Sequence, residues 1–127
     1  MKNKQKLQQE QESTLNDLLS NPDLIYKGAI NKWGHHLQLD MLVEECAELI
    51  ASVNRLRRGR TKDEAVIEEL ADVDILIGQM RLVFDQAEID EIKRKKLTRL
   101  AERVGLIRLS FKGRLASPAA NCEARRN

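Results

Sequence analysis

EECAELIASVNRLRRGR, residues 44–60, and EELADVDILIGQM, residues 68–80, decide how this chain is read. Both set acids into apolar sequence: Leu42 and Val43 precede the first cluster and Leu49 and Ile50 follow it, while Val66 and Ile67 precede the second. Glu45 and Glu48 are three residues apart, as are Glu69 and Asp72. On a helix, residues at that spacing are neighbours with β-carbons ~5–6 Å apart. Each stretch therefore puts two carboxylates side by side. Like charges so placed repel, and partly buried carboxylates are costly unless something compensates them.

The surrounding pattern is helical. Leu39, Leu42, Val43, Cys46, Leu49, Ile50, Val53 and Leu56 recur at spacings of three and four, which predicts an amphipathic helix from Leu37 to about Arg58. Arg55, Arg57 and Arg58 before Gly59 suit its C-terminus. Thr61-Lys62-Asp63-Glu64 fits a capping box for the next helix, which runs to about Phe84 through Val66, Ile67, Leu70, Val73, Leu76, Ile77, Met80 and Val83. The short loop between them makes the two helices antiparallel neighbours, so four carboxylates converge.

Outward from this pair, residues 2–20 read as a Gln- and Lys-rich helix. Asn21-Pro22-Asp23 is a break in which Asn21 can cap a short helix that runs to about Trp33, where Gly34 interrupts it. A last helix spans about residues 88–104. Beyond Gly105 the helical period fails, and a peripheral, partly disordered tail is expected. The organisation is thus an N-terminal helical extension (1–20), a helical bundle (21–104) and a basic tail (105–127), giving an all-α, four- to five-helix architecture.

Composition agrees. The chain has 127 residues, 42% apolar, 33% charged and only 3% aromatic, a mix that favours helix over a β-sandwich. A domain this small often gains by oligomerising. The net charge of +2 conceals a basic tail, with Arg108, Lys112, Arg114, Arg125 and Arg126 against Glu123, on a slightly acidic body. An acidic body argues against a nucleic-acid partner, since duplex affinity rests on neutralising phosphates. No apolar run approaches the ~20 residues of a membrane helix, and no apolar leader stands at the start. Cys46 and Cys122 form no disulfide framework, so a reducing, cytoplasmic setting is expected.

A hard divalent cation compensates converging carboxylates. Mg²⁺ takes oxygen ligands at ~2.0–2.1 Å and keeps waters or phosphate oxygens in its shell. One acid pair at this spacing more often marks a solvated face, but two pairs on adjacent helices, both within apolar sequence, point to a site. His35 and His36 do not stand at three-residue spacing from an acid of the pairs, so the di-iron bundle pattern is missing.

The paired motif, E-x-x-E and then E-x-x-D about twenty residues on, resembles the MazG-like superfamily of all-α nucleoside triphosphate pyrophosphohydrolases. The likeness lies in EECAELIASVNRLRRGR and EELADVDILIGQM and extends over roughly residues 24–104. It implies an oligomeric helical fold, a homodimer or homotetramer, that binds Mg²⁺ through Glu45, Glu48, Glu69 and Asp72. The implied reaction is hydrolysis of a nucleoside triphosphate to its monophosphate and pyrophosphate. The resemblance does not fix the base; Glu44 and Glu68, each just before a motif acid, are the candidates, and an outward-facing position or a supporting contact to a ligand is the alternative for each. Trp33 can stack on a nucleobase, although a packing role is the commoner one for a tryptophan. Lys93, Lys96 and Arg99, or Arg55 and Arg58, can hold the outer phosphates, and a solvated basic face is the plain alternative for each. Asn31 and Asn54 can read a base edge as any surface amide can. The competing reading from another class is a non-catalytic helical interaction module with the same fold.

Overall fold

The computed structural model describes residues 2–109 and 115–116. Five helices make up almost all of it: α1 (Lys2–Ser20), α2 (Asp23–Trp33), α3 (His35–Arg57), α4 (Asp63–Val83) and α5 (Gln86–Arg103). The all-α expectation holds. One exception is small: Arg108–Leu109 (β1) pairs antiparallel with Leu115–Ala116 (β2), Arg108 opposite Ala116 and Leu109 opposite Leu115. Ile107, Arg108 and Leu109 alternate apolar and basic, which suits a strand, whereas the sequence pattern showed only a lost helical period there. Lys112, Arg114, Cys122, Glu123, Arg125 and Arg126 lie outside the described residues. No described helix is long and apolar enough to cross a membrane.

The helix boundaries obey local chemistry. Pro22 occupies the N-cap of α2 at φ −66°, pre-set for helix, and Asp23 meets the dipole in the first turn. Asn21 makes no capping bond there. Gly34 at φ 83° separates α2 from α3, a conformation that side chains with a Cβ resist, and its N–H closes α2 on Ile30 O at 2.8 Å. At the end of α3, Gly59 at φ 66° lets its N–H reach Leu56 O (2.9 Å) and Arg60 N–H reach Arg55 O (2.9 Å). That pair of bonds is a Schellman ending. The capping box does not form. Helix α4 begins one residue later, with Lys62 at the N-cap and no side-chain cap bond. Glu64 then stands at the second helical position instead of the third, out of register for the reciprocal bond.

The chain divides into two compact units, residues 1–85 and 86–127. In the first, α3 and α4 form the principal interface, and α2 packs chiefly on α4 and more lightly on α3. The approach of α2 is close. A Cβ added at Gly78 of α4 would lie 2.7 Å from Tyr26 Cζ, so only glycine fits there without moving the ring. The buried apolar core is confined to α4: Val73, Leu76 and Met80. The other buried side chains are polar, Ser52 and Gln38 on α3 and Gln79 on α4.

The sequence pattern placed the buried side of α3 along its apolar positions. The structure instead leaves Val43 71%, Ile50 63% and Val53 37% exposed, while Ser52 is 0% exposed. The reason is geometric. Gln38, Met41, Glu45, Glu48, Ser52 and Arg55 recur at spacings of three and four, and this polar seam carries the carboxylates and the two buried residues of α3. Leu39, Leu42, Cys46 and Leu49 flank it, half-buried. On α4, Ile67, Leu70 and Ile77 are likewise exposed.

Candidate metal and nucleotide site

Helices α3 and α4 bring Glu45, Glu48 and Glu69 together. One carboxylate oxygen from each lies within 4.8 Å of the others, a group able to hold a metal ion. Glu45 and Glu69 are half-buried and Glu48 is exposed. Spacing explains the α3 contribution, since Glu45 and Glu48 are one turn apart, and the antiparallel partner delivers Glu69 from across the seam.

Asp72, the fourth expected ligand, stands outside that triad but within its field. The Glu45 carboxyl is held above the usual carboxylate range, first by partial burial, then by the charge of Asp72, and after that by Glu48, Glu69 and Glu44. Both effects disfavour its ionised form. A cation placed among these groups would relieve the repulsion, and the all-oxygen donor set fits a hard ion.

A residue that the sequence pattern did not single out sits between the helices. Ser52, wholly buried, receives a hydrogen bond from Arg55 Nη2 at 3.0 Å and donates from Oγ to Glu69 Oε1 at 3.5 Å. Arg55 is therefore tied to the carboxylate cluster through a hydroxyl. The signal was present: Ser52 comes four residues after Glu48 and Arg55 three after Ser52, one continuous stripe.

A cavity of about 370 Å³ adjoins the acids. Glu45 and Asp72 line it, together with Trp33, Leu37, Met41, Leu76, Ile75 and Gln38. It falls within the size range of small-molecule sites and has their character, apolar walls with a few polar groups. Trp33 is 52% exposed, so it is no core anchor, and Lys32 Nζ lies 5.0 Å from its ring centroid. Two other hollows are lined by α1 residues only and gather no comparable chemistry.

The remaining candidates fall elsewhere. Glu44 and Glu68 are exposed beside the candidate ligands Glu45 and Glu69 on their helices, and Glu44 is near enough to act on Glu45. Arg58 is the exposed C-cap of α3. Lys93, Lys96 and Arg99 are exposed on α5 in the second unit. The His35 and His36 rings lie 4.1 Å apart, tilted by 39°, and belong to no metal group among the described residues. Asn31 and Asn54 are exposed and do not line the cavity. Cys46 is a free thiol.

Comparison with known proteins returns nothing. No family model, no curated protein and no solved structure matches the chain. The function is therefore argued from the site.

Proposed function

We propose that the protein is a Mg²⁺-dependent nucleoside triphosphate pyrophosphohydrolase of the MazG-like kind, releasing a nucleoside monophosphate and pyrophosphate. One observation carries the reading: Glu45, a member of the acid triad between α3 and α4, lines a cavity together with Asp72 and the aromatic ring of Trp33. A cluster serving only ion pairs has no need of an adjoining apolar cavity.

Glu45, Glu48 and Glu69, with Asp72 beside them, would hold the cation. When bound, Mg²⁺ neutralises the charge that develops on the leaving pyrophosphate and acidifies water. Ser52 orients Glu69, and Arg55 stabilises that hydroxyl. Glu44 or Glu68 takes the proton of the attacking water, each being an exposed carboxylate next to a ligand residue. Trp33 offers a face on which the base stacks.

The single chain leaves large apolar side chains uncovered on α3 and α4, Val43, Ile50 and Ile67 among them. A helix apolar on more than one side is a buried helix, so the working form is a homodimer or homotetramer that covers these stripes. The free thiol of Cys46 and the anionic substrate suit a cytoplasmic enzyme. Purified protein incubated with a panel of nucleoside triphosphates, with and without Mg²⁺, tests the proposal. Mg²⁺-dependent pyrophosphate release is the expected result. Its absence across the panel would leave the non-catalytic interaction module.

A further inference from the structure

Gln38 has no place in the metal chemistry, yet it is among the most buried polar residues of the chain, 5% exposed. It lines the cavity that holds Trp33, Met41 and Glu45. Among the described residues nothing hydrogen-bonds its side-chain amide, while Gln79 Oε1 is the one buried side-chain atom wholly sealed off without a partner. The Gln38 amide is not sealed off in this way; it lines the cavity with its hydrogen-bonding capacity unused, open to a ligand that enters.

We propose that Gln38 is the specificity residue of the site and hydrogen-bonds the edge of the nucleobase. This rests on the nucleotide function proposed for the cavity. Three features support it. Gln38 precedes Glu45 by two turns of α3, ~10 Å along the helix axis, which suits the separation that a ribose sets between a base and its phosphates. The Trp33 ring lines the same cavity, and a base stacked on a ring leaves its polar edge free in the plane. A glutamine amide presents one donor and one acceptor side by side, the complement of an edge carrying an adjacent acceptor and donor. The aliphatic residues that line the cavity, Leu37, Met41, Ile75 and Leu76, have no hydrogen-bonding side chain to offer in its place. The ligand class is a nucleotide whose base carries such an edge. Sugar phosphates without a base gain nothing from Gln38.

The test is calorimetric titration of the full chain in Mg²⁺ with AMP, GMP, CMP, UMP and ribose 5-phosphate, for wild type, Gln38→Leu and Gln38→Glu. Circular dichroism verifies the fold of each variant. Leucine fills a similar volume without polar atoms, and glutamate keeps the acceptor while altering the donor. The wild type is expected to rank the four nucleotides and to bind the best of them more tightly than ribose 5-phosphate. Gln38→Leu should weaken that nucleotide by ~10–100-fold, the discrimination of a good bidentate contact, level the ranking, and leave ribose 5-phosphate unchanged. Gln38→Glu should reorder the ranking, and it serves as the test if the leucine variant does not fold. A wild type that does not rank the nucleotides, or variants that keep its ranking and affinities, overturns the assignment. Pyrophosphate release measured on the same preparations separates the two claims. Base ranking lost in Gln38→Leu with no turnover in any sample removes the hydrolase and keeps Gln38. Turnover with an unchanged kcat/KM for every base in Gln38→Leu removes Gln38 and keeps the hydrolase.

Discussion

Replacing Ser52 with alanine tests whether the polar seam between α3 and α4 is functional. The substitution deletes one hydroxyl at a site with no solvent exposure, together with the bond from Arg55 at 3.0 Å and the bond to Glu69 at 3.5 Å. Hydrogen bonds to charged groups contribute ~1.5–3 kcal/mol. Arg55 is exposed and can turn to water, which puts the loss near ~1.5 kcal/mol, the low end of that range. The Glu69 bond is at the long limit of geometry and adds little stability. A loss of that size lowers the melting temperature of a chain of this length by about 5 °C. The functional effect is larger in proportion. Glu69 loses the hydroxyl that orients it, and removing the partner of a metal-binding carboxylate typically weakens metal affinity by ~10–100-fold. Thermal melting without metal and calorimetric titration with Mg²⁺ read the two effects separately. A Ser52→Ala protein that melts lower but binds Mg²⁺ like the wild type would make Ser52 a packing residue only. One that melts and binds like the wild type would refute the network altogether.

Glu48→Gln should abolish pyrophosphate release while the metal-free protein melts as high as the wild type or higher, because one of three mutually repelling carboxylates is neutralised. Glu44→Gln and Asp74→Asn, outside the triad, are the controls for metal binding, and a Glu48→Gln variant with wild-type turnover would sink the metal reading. Gly78→Ala should cost ~1–3 kcal/mol in urea denaturation, since the new methyl meets the Tyr26 ring; an unchanged midpoint would mean that α2 sits further from α4. Multi-angle light scattering at micromolar concentration should give a dimer or tetramer mass, and a monomer would leave the exposed stripes of α3 and α4 unexplained. In α5, hydrogen bonds from Arg94 at 2.8 and 2.9 Å, with Lys95 at 3.4 Å, lower the Glu91 carboxyl from its ordinary 4.5 to about 2. Its stabilising contribution is therefore present above the ordinary carboxylate range and lost as pH falls through about 2. An NMR titration should find that midpoint, and Arg94→Ala should return it toward the ordinary value.

The sequence by itself determined the helices, because their signals are local. Period, glycine and proline act within a few residues, and the break at Pro22, the turn at Gly34 and the ending at Gly59 stand where they were expected. It also determined that acids would gather, because Glu45 and Glu48 are neighbours on any α-helix and a short loop brings Glu69 back beside them. The tertiary structure alone decided which side of α3 faces α4. Apolar residues occupy several sides of that helix, so hydrophobicity could not single out the contact, and the buried seam is marked by Gln38 and Ser52 instead. Placement across two helices likewise decided that Asp72 stands beside the triad and that Trp33 shares a cavity with Glu45. Those relations depend on how α2, α3 and α4 slide and rotate against one another, a freedom that spacing along a single helix does not constrain.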